Sequence, residues 1–449
     1  MEGTLTAVFK GEFGPAEARR LLDRAGFGPK PGQEDRLAEL GLERAVRSLT
    51  RPRGKAKLNG RRPVDQHGLA IAPVDNNGHD HLWWLDRMVR SDQPLVERMT
   101  LIFHDWFATS RNGVSLQRQM VDQSNLFRTR CFGSFLTLFE RITIDPAMLT
   151  WLNGNKNAKK HPNENYAREM MELFSLGARR GYNETDIREM ARALTGWAST
   201  FSPEFGAHDY RFIPKRHDEG QKTVFGRTGN WGWKDAPRLC VENPYHPSFF
   251  VLKLWSYFIT EPPNDATRKS LESRYRNSGW RIRPVVEAIL KHPDFYEDGP
   301  MVKPPVVHLA SMLRARRRTI DTDAWIRLCE SAGQLLFVPP DVSGWDDRRW
   351  LDTARMRARW ELVNRVIRPA AANLENPYDR TETAEAAVVR ALQGWGNPRI
   401  SPEDRAELVG FAERSAAHAA GPVQQSEFRR LRQQGLMQLV GIGPGMVLQ

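Results

Sequence analysis

Residues His161–Gly177 read HPNENYAREMMELFSLG, and they indicate the fold class because both ends of the stretch carry helix signals. Pro162 suits the first helical position, Glu164 the third, and Gly177 the C-terminal cap. At 100° per residue one face is apolar and holds Tyr166, Ala167, Met170, Met171, Leu173 and Phe174. The stretch therefore predicts an amphipathic helix that packs its apolar face on a helical core.

The helical period recurs along most of the chain, which predicts a mainly α protein with a multi-helix, orthogonal or bundle-like array. The exception is the stretch from Thr200 to Asp235, where Gly, Asp and Trp mix with β-forming residues such as Thr223 and Val224. We expect an irregular insert at about residues 198–240 that consists of a loop and a short β-hairpin.

A chain of 449 residues is longer than a single hydrophobic core usually supports. Composition and turn signals divide it into three parts. Residues 1–80 form an N-terminal helical hairpin followed by a basic loop, residues 81–370 form the helical core, and residues 371–449 form a C-terminal helical extension that follows a Glu/Asn/Pro linker. The irregular insert belongs to the core part.

The chain is basic, with 66 Lys and Arg against 54 Asp and Glu, for a net charge of +12. The excess is scattered, with local densities at Arg51–Arg62, Arg314–Arg318 and Arg429–Arg432, so a solvated surface explains most of it. The sequence contains no recognised nucleic-acid module and no nucleotide-cofactor signature. An anionic substrate or an acidic protein partner would suit this charge.

Three widely spaced cysteines, Cys131, Cys240 and Cys329, form neither a disulfide framework nor a CxxC zinc pattern, which favours a reducing compartment. No run of 18 apolar residues predicts a membrane span. Met1–Lys10 lacks the pattern of an export signal. These observations predict a cytoplasmic protein.

The polar face of the His161–Gly177 helix carries Glu164, Arg168, Glu169 and Glu172. Ion pairs between residues four apart, Glu164 with Arg168 and Arg168 with Glu172, would explain these residues as a solvent-facing surface. Carboxylates at this spacing on an inward face also build iron or manganese sites, but such sites need histidines from opposite helices. Both interpretations remain open from the residues alone.

Three further groups could carry chemistry. Asn183 and Asp186 begin a second helix, on which Arg192 either pairs with carboxylates or meets an anionic ligand. His104 falls nearly opposite an apolar helical stripe, and a lone histidine is more often a surface or hydrogen-bonded residue than a ligand. In the insert, His217, Asp218 and Lys222 surround Gly220, and they suit either a turn or an acid–base or metal site.

Five ordered motifs carry a family resemblance: His104–Thr109, Asn163–Glu169, Ala193–Trp197, His217–Lys222 and Pro339–Trp345. With these motifs the chain resembles the large bacterial family called domain of unknown function 1800, over roughly residues 15 to 370. The resemblance implies no particular activity. It implies export for many members, and export in the folded state would suit a protein that carries a metal or redox cofactor.

The chain departs from the family pattern at one position of the first motif. Trp106 stands where the family usually has a second histidine after His104. A two-histidine metal site inferred from that motif therefore cannot form here from these two positions.

The gathering of ligand-capable residues into these motifs predicts a metal-dependent enzyme, an iron or manganese oxidoreductase or hydroxylase. Its ligands would come from His104, Glu164, Glu169, Glu172, His217 and Asp218. Its catalytic residues would be Glu169, Arg168, His217 and Lys222. An anionic substrate would be bound by Trp197, Arg192, Trp345 and Trp231.

Two other hypotheses compete with it. The first is a metal-free hydrolase or transferase with Glu169 or His217 as a general base, although no nucleophile signature is present. The second is a non-enzymatic binding or assembly protein, in which the polar residues from Glu164 to Arg192 form an internal structural network. Mutant stability, activity and metal content would distinguish these classes.

Overall fold

The computed structural model describes residues 6–371, 382–416 and 422–449. These residues form a mainly α-helical protein with two small antiparallel sheets, which confirms the predicted fold class. The linker predicted between the core and the C-terminal extension lies outside the described residues, and the three-part division of the chain stays a prediction.

The described part of the first half of the chain contains ten α-helices. They are α1 (Pro15–Arg24), α2 (Gln33–Ala38), α3 (Leu42–Thr50), α4 (His79–Arg90), α5 (Pro94–Trp106), α6 (Gln117–Arg130), α7 (Phe135–Thr143), α8 (Pro146–Trp151), α9 (Glu164–Glu172) and α10 (Glu184–Ala193). Four strands follow: β1 (Trp197–Ser202), β2 (Gly206–Phe212), β3 (Lys222–Val224) and β4 (Arg227–Gly229).

The described part of the second half contains twelve helices. They are α11 (Asp235–Glu242), α12 (His246–Ser256), α13 (Asp265–Asn277), α14 (Ile282–Ile289), α15 (Pro293–Glu297), α16 (Pro305–Ala315), α17 (Ala324–Ser331), α18 (Thr353–Ala371), α19 (Ala384–Gly394), α20 (Pro402–Ala416), α21 (Pro422–Ile442) and α22 (Pro444–Val447). None of the helices described here is both long and apolar enough to cross a membrane.

The helix that begins the sequence argument is shorter than predicted, because its first turn is replaced by a capped loop. Asn163 is the N-cap and accepts a hydrogen bond from the Asn165 N–H, so α9 starts at Glu164 and Pro162 lies outside it. The Asn163 N–H is itself bound to the Asn157 side chain at 2.9 Å, which holds the chain out of the helix. The helix also ends early, at Glu172, and Gly177 follows in a separate turn with φ of +93°.

The start of α10 and the insert follow the prediction more closely. Asn183 accepts hydrogen bonds from two N–H groups of the first turn, and the Asn183 N–H donates to the Asp186 carboxylate. The insert contains two hairpins, β1 with β2 and β3 with β4, and the expected short hairpin at Thr223 and Val224 is the second. The hairpins lie in sequence directly after α10 and so bring the insert beside it.

Two hydrophobic clusters make up the core, and α5 lies between them. One cluster gathers side chains of α1, α3, α7 and α9–α15, and the other gathers α4 and α16–α19 with α21. Ile102 of α5 belongs to the first cluster, whereas Leu101 belongs to the second. Helix α5 is therefore buried on nearly every side, and the polar residues that it carries lie inside the protein.

Candidate functional site

A small cavity lies along one face of α5. Arg98, Leu101, Ile102 and Asp105 line it, and their spacing of three, four and seven residues places them on one side of the helix. Its volume is about 100 Å³. The rest of the wall comes from distant segments: Ser256, Tyr257, Met301, Val302, Pro304, Gln334, Trp345, Asp347, Trp350 and Gln449.

Asp105 is held by two hydrogen bonds from opposite parts of the chain. The Tyr257 hydroxyl donates to Oδ2 at 2.7 Å, and the Trp345 main-chain N–H donates to Oδ1 at 2.9 Å. Both carboxyl oxygens are thereby fixed in orientation. A half-buried carboxyl group with two fixed donors is the type of group that can exchange a proton with a bound molecule.

The Pro339–Trp345 loop reaches Asp105 because Gly344 has no side chain. Gly344 has a φ of +95°, which L-residues with a side chain rarely adopt. A Cβ atom at this position would lie 2.8 Å from the Asp105 main-chain oxygen, and closer still to its carboxylate. The glycine thus allows the contact between the first and the last of the five motifs.

Three titratable groups of this site have shifted pKa values. Burial raises the pKa of Asp105, although the hydrogen bonds from Tyr257 and Trp345 lower it in part. Burial lowers the pKa of Lys253 to about 8, with Asp105 opposing that shift. Burial, together with the negative charge of Asp105, raises the pKa of Tyr257 well above its usual value, so its hydroxyl remains a donor.

His104 lies beside the site but not at a surface, which corrects its expected placement. Its side chain is 1% exposed and contacts the rings of Trp84, Phe337 and Trp345. Burial lowers its pKa to about 3, so the ring is neutral. Because α5 is enclosed by both hydrophobic clusters, the face opposite its apolar stripe is buried as well.

Five of the predicted site residues meet in the insert. The Arg192 guanidinium donates to Asp218 at 2.7 Å, which confirms that this arginine pairs with a carboxylate. His217 bonds the Thr195 carbonyl through Nδ1 at 2.9 Å. Phe212 contacts the rings of both His217 and Trp197, and it thereby joins the strands to the end of α10.

Lys222 completes this group as a structural residue. Its ammonium group is 1% exposed and donates to the carbonyl oxygens of Asp218 and Gly220. Those bonds close the turn on itself, and Trp231, just after the second hairpin, likewise donates to the Arg227 carbonyl. Both contacts stabilise the loop, and the polar atoms of Lys222 are turned toward it.

The predicted carboxylates of α9 lie at or near the surface. Arg168 pairs with Glu164 at 3.5 Å, as predicted, but its second partner is Glu184 rather than Glu172. Glu172 instead accepts a hydrogen bond from the Tyr182 hydroxyl at 3.4 Å. The pKa of Glu169 is raised, first by burial and then by the charge of Glu172.

The predicted metal ligands fall in three separate places: among the rings around His104, on α9, and in the insert. Among the residues that the structure describes, no group of three or more His, Cys, Asp or Glu side chains is arranged to hold a metal ion. The donor set of the described residues therefore does not fit the iron or manganese centre expected from the sequence.

The cavity residues Arg98, Tyr257 and Asp105, and Lys253 near Asp105, did not emerge as candidates from the sequence. One signal was available, because Arg98 and Asp105 stand seven residues apart on one helix face and Asp105 lies inside a family motif. No local pattern marks Tyr257, which is 152 residues away from its partner. Of the predicted residues, Trp345 alone lines this cavity.

Comparison with known proteins gives a family and no activity. The sequence model of a family described as "Protein of unknown function (DUF1800)" matches residues 20–444, nearly the whole chain. No curated protein and no solved structure gives a significant match.

Proposed function

The chain belongs to the DUF1800 family, and we propose that it is an enzyme that transfers protons by acid–base catalysis in the cavity beside α5. Asp105 is the proposed proton-transferring group. The observation that carries this proposal is the Asp105–Tyr257 pair, fixed at 2.7 Å in the wall of the cavity beside α5. Of the hypotheses from the sequence, this proposal is closest to the metal-free acid–base enzyme. The proposed group is Asp105, however, and not Glu169 or His217.

The pKa shifts of the site support this chemistry. A general acid or base works best when its pKa lies near the working pH. Burial raises the pKa of Asp105 and lowers the pKa of Lys253, so both pKa values move toward neutral pH. Perturbed pKa values of this kind cluster at functional sites. Asp105 would take a proton from the bound molecule, and its own orientation is fixed by the Tyr257 hydroxyl and the Trp345 N–H.

Tyr257 and Lys253 have supporting roles in this proposal. The Tyr257 hydroxyl stabilises the ionised form of Asp105, and the proton that Asp105 takes up returns to the bound molecule from Asp105 itself. The Lys253 ammonium group is 3.3 Å from the Leu173 carbonyl and lies over the Trp106 ring. Its positive charge favours the ionised form of Asp105, as the pKa of Asp105 indicates.

The test is proton exchange in deuterated water. Wild-type protein would be incubated with a set of small organic acids, ketones and alcohols, and exchange of carbon-bound protons would be followed by nuclear magnetic resonance. We expect exchange with at least one compound, and a loss of about 100-fold or more in Asp105→Asn. Asp209→Asn is the matched control, because the Asp209 side chain is 73% exposed. Equal rates in wild type and Asp105→Asn, or no exchange with any compound, would contradict the proposal.

The iron or manganese oxidoreductase remains a prediction without a supporting observation. Elemental analysis of protein purified from cells grown with either metal tests it directly. A stoichiometric metal in the wild type that is lost in His217→Ala would support the metalloenzyme prediction. In the wild type, Nδ1 of His217 bonds the Thr195 carbonyl, and Nε2 takes no part in that bond.

A binding or assembly role has one observation in its favour, which is the self-contained ion-pair network of Arg192, Glu189 and Asp218. If that network is purely structural, Asp218→Asn lowers the melting temperature and leaves proton exchange unchanged. We also propose a cytoplasmic location, because Cys131, Cys240 and Cys329 are unpaired and buried.

A further inference from the structure

A second concave surface, which we name the α3 groove, lies on α3 and on the turn that follows it. It is an open groove with a volume of about 680 Å³. Four of its seven lining residues are arginines and none is an acid: Leu40, Arg44, Arg47, Ser48, Arg51, Pro52 and Arg53. A cleft lined by charges of one sign concentrates the electrostatic potential, so this groove attracts anions.

The sequence of α3 places these arginines on the outer face of the helix. The opposite face is buried in the core and holds Ala45, Val46 and Leu49. Arg44, Arg47 and Arg51 follow one another at spacings of three and four residues, so they form one stripe along the exposed side. From Arg44 to Arg51 the stripe is about 10 Å long.

Three arginines of the groove have no counter-charge among the residues that the structure describes. Arg44, Arg47 and Arg53 are exposed, and none of them forms an ion pair with a described residue. The helix dipole accounts for Arg47, which lies in the last turn of α3. It does not account for Arg44, which lies in the first turn, where a cation is unfavourable. Their positive charge is therefore available to a ligand.

The neighbouring acids do not cancel this charge. The Lys291 ammonium group donates to both carboxylate oxygens of Glu43, the one acid of α3, at 3.0 Å. Glu287 bonds the fourth arginine, Arg51, at 2.8 Å. Residues Leu40–Arg62 contain eight Lys and Arg against one Glu, for a net charge of +7. More than half of the net charge of the chain, +12, is thus concentrated in this short stretch.

The chemistry of the α3 groove favours a partner that carries phosphate groups. All four of its cations are arginines, whose planar guanidinium groups match two phosphate oxygens at once. Residues Leu40–Arg62 contain no Phe, Tyr, Trp or His, so no ring is present to stack on an unpaired base. Leu40 and Pro52 are half-buried, so the groove offers no exposed apolar side chain that could enter a lipid bilayer.

A nucleic-acid duplex has the charge density that the arginine stripe requires. It carries one negative charge per about 1.7 Å of its axis, so a stripe of about 10 Å meets several phosphates. A phosphate backbone also fits into an open groove, whereas a flat membrane surface does not. Contacts with phosphates position a protein without reading bases, so they need no sequence-reading module.

We infer that the α3 groove binds the phosphate backbone of a nucleic-acid duplex, without sequence preference, through Arg44, Arg47 and Arg53. The inference does not rest on the proposed function, because no residue of the groove lines the cavity beside α5. Proton exchange and duplex binding can therefore succeed or fail separately.

The experiment is fluorescence anisotropy of a labelled DNA duplex of about 20 base pairs, titrated with the full chain at about 50 to 200 mM salt. Three phosphate contacts predict that the logarithm of the binding constant falls with the logarithm of the salt concentration at a slope of about −3. The affinity should then fall about 40-fold over this range. A flat salt dependence, or no binding at about 50 mM salt with about 100 μM protein, would overturn the inference.

Single substitutions test the arginines themselves. Arg44→Gln, Arg47→Gln and Arg53→Gln should each make the salt slope shallower by about 1 and weaken binding about five- to tenfold at about 100 mM salt. All three side chains are exposed, so these variants should fold like the wild type. Arg211→Gln is the matched control, because Arg211 is an exposed residue of β2 that does not line the groove. If Arg211→Gln weakens binding as much as Arg44→Gln, the overall charge and not the groove binds the duplex, and the inference is refuted.

Competition with other polyanions tests the choice of partner. The competitors are the single strand of the same sequence, a poly-glutamate peptide and vesicles that contain phosphatidylserine, each at the charge concentration of the unlabelled duplex. We expect the unlabelled duplex to displace the label best, because it has the densest row of phosphates. Any competitor that displaces the label as well as the duplex does, with the same loss in Arg44→Gln, would overturn the assignment of the groove to a duplex.

Discussion

Replacing Gly344 with alanine tests whether the Pro339–Trp345 loop must approach Asp105 as closely as the structure indicates. The new Cβ atom would lie 2.8 Å from the Asp105 main-chain oxygen and 2.9 Å from its carboxyl carbon. Main-chain atoms of a buried helix cannot shift far, so this overlap costs about 1 to 3 kcal/mol, as other overpacked interiors do. The φ of +95° adds about 1 to 2 kcal/mol for a residue with a side chain.

The sum predicts that Gly344→Ala lowers the free energy of unfolding by about 3 kcal/mol, or else displaces the loop and breaks the Trp345 N–H bond to Asp105. Gly226→Ala is the control, because Gly226 has a φ of +72° and its added Cβ would meet nothing within 4 Å. That variant carries the conformational cost without the overlap, and it should lose about 1 kcal/mol.

Denaturant unfolding of the wild type and both variants measures this difference, and the proton-exchange assay reports on the site. We expect Gly226→Ala to exchange protons at the wild-type rate and Gly344→Ala to exchange them slowly or not at all. If the two alanine variants have the same stability and the same proton-exchange rate, then the loop does not need to contact Asp105, and the geometry proposed for the site is wrong.

Three other predictions concern charged side chains. Burial lowers the pKa of Lys253 from 10.5 to about 8. Between pH 8 and 10.5, Lys253 is therefore deprotonated in the folded protein but still protonated in the unfolded chain. Wild-type stability relative to Lys253→Met, measured by denaturant unfolding, should therefore rise by up to about 3 kcal/mol from pH 8 to 10.5. Lys222→Met should lower the melting temperature, at a cost of about 2 kcal/mol, because two carbonyl groups lose their donor. Arg168→Ala should change the free energy of unfolding by less than about 1 kcal/mol, because its partner Glu184 is 66% exposed, and a larger loss would show that the pair is not a surface pair.

Local signals in the sequence were enough to predict the helices and the insert. The capping pair Asn183 and Asp186 predicts the start of α10, and the β-forming residues Thr223 and Val224 predict a hairpin. These features depend on neighbouring residues, so a short window of sequence contains the information. The start of α9 was predicted two residues too early, since the bond from Asn163 to Asn157 is made outside the helix.

The burial of α5 was not predictable from its own residues. Glu97, Thr100 and His104 stand opposite the apolar stripe, which is the pattern of a solvent-facing side. In the folded protein Glu97 is buried and bonded to two arginines, Arg87 and Arg128. Such pairing compensates a buried charge, but its partners come from α4 and α6, and the period of α5 contains no information about them.

The sequence by itself determined the helical class, the insert, several caps and the family. The tertiary structure alone decided which polar groups meet in the cavity. Asp105 receives its hydrogen bonds from Tyr257, 152 residues away, and from Trp345, 240 residues away. The physical reason is that helix periodicity and capping are set by contacts within a few residues, whereas this site depends on how helices from distant parts of the chain pack around α5.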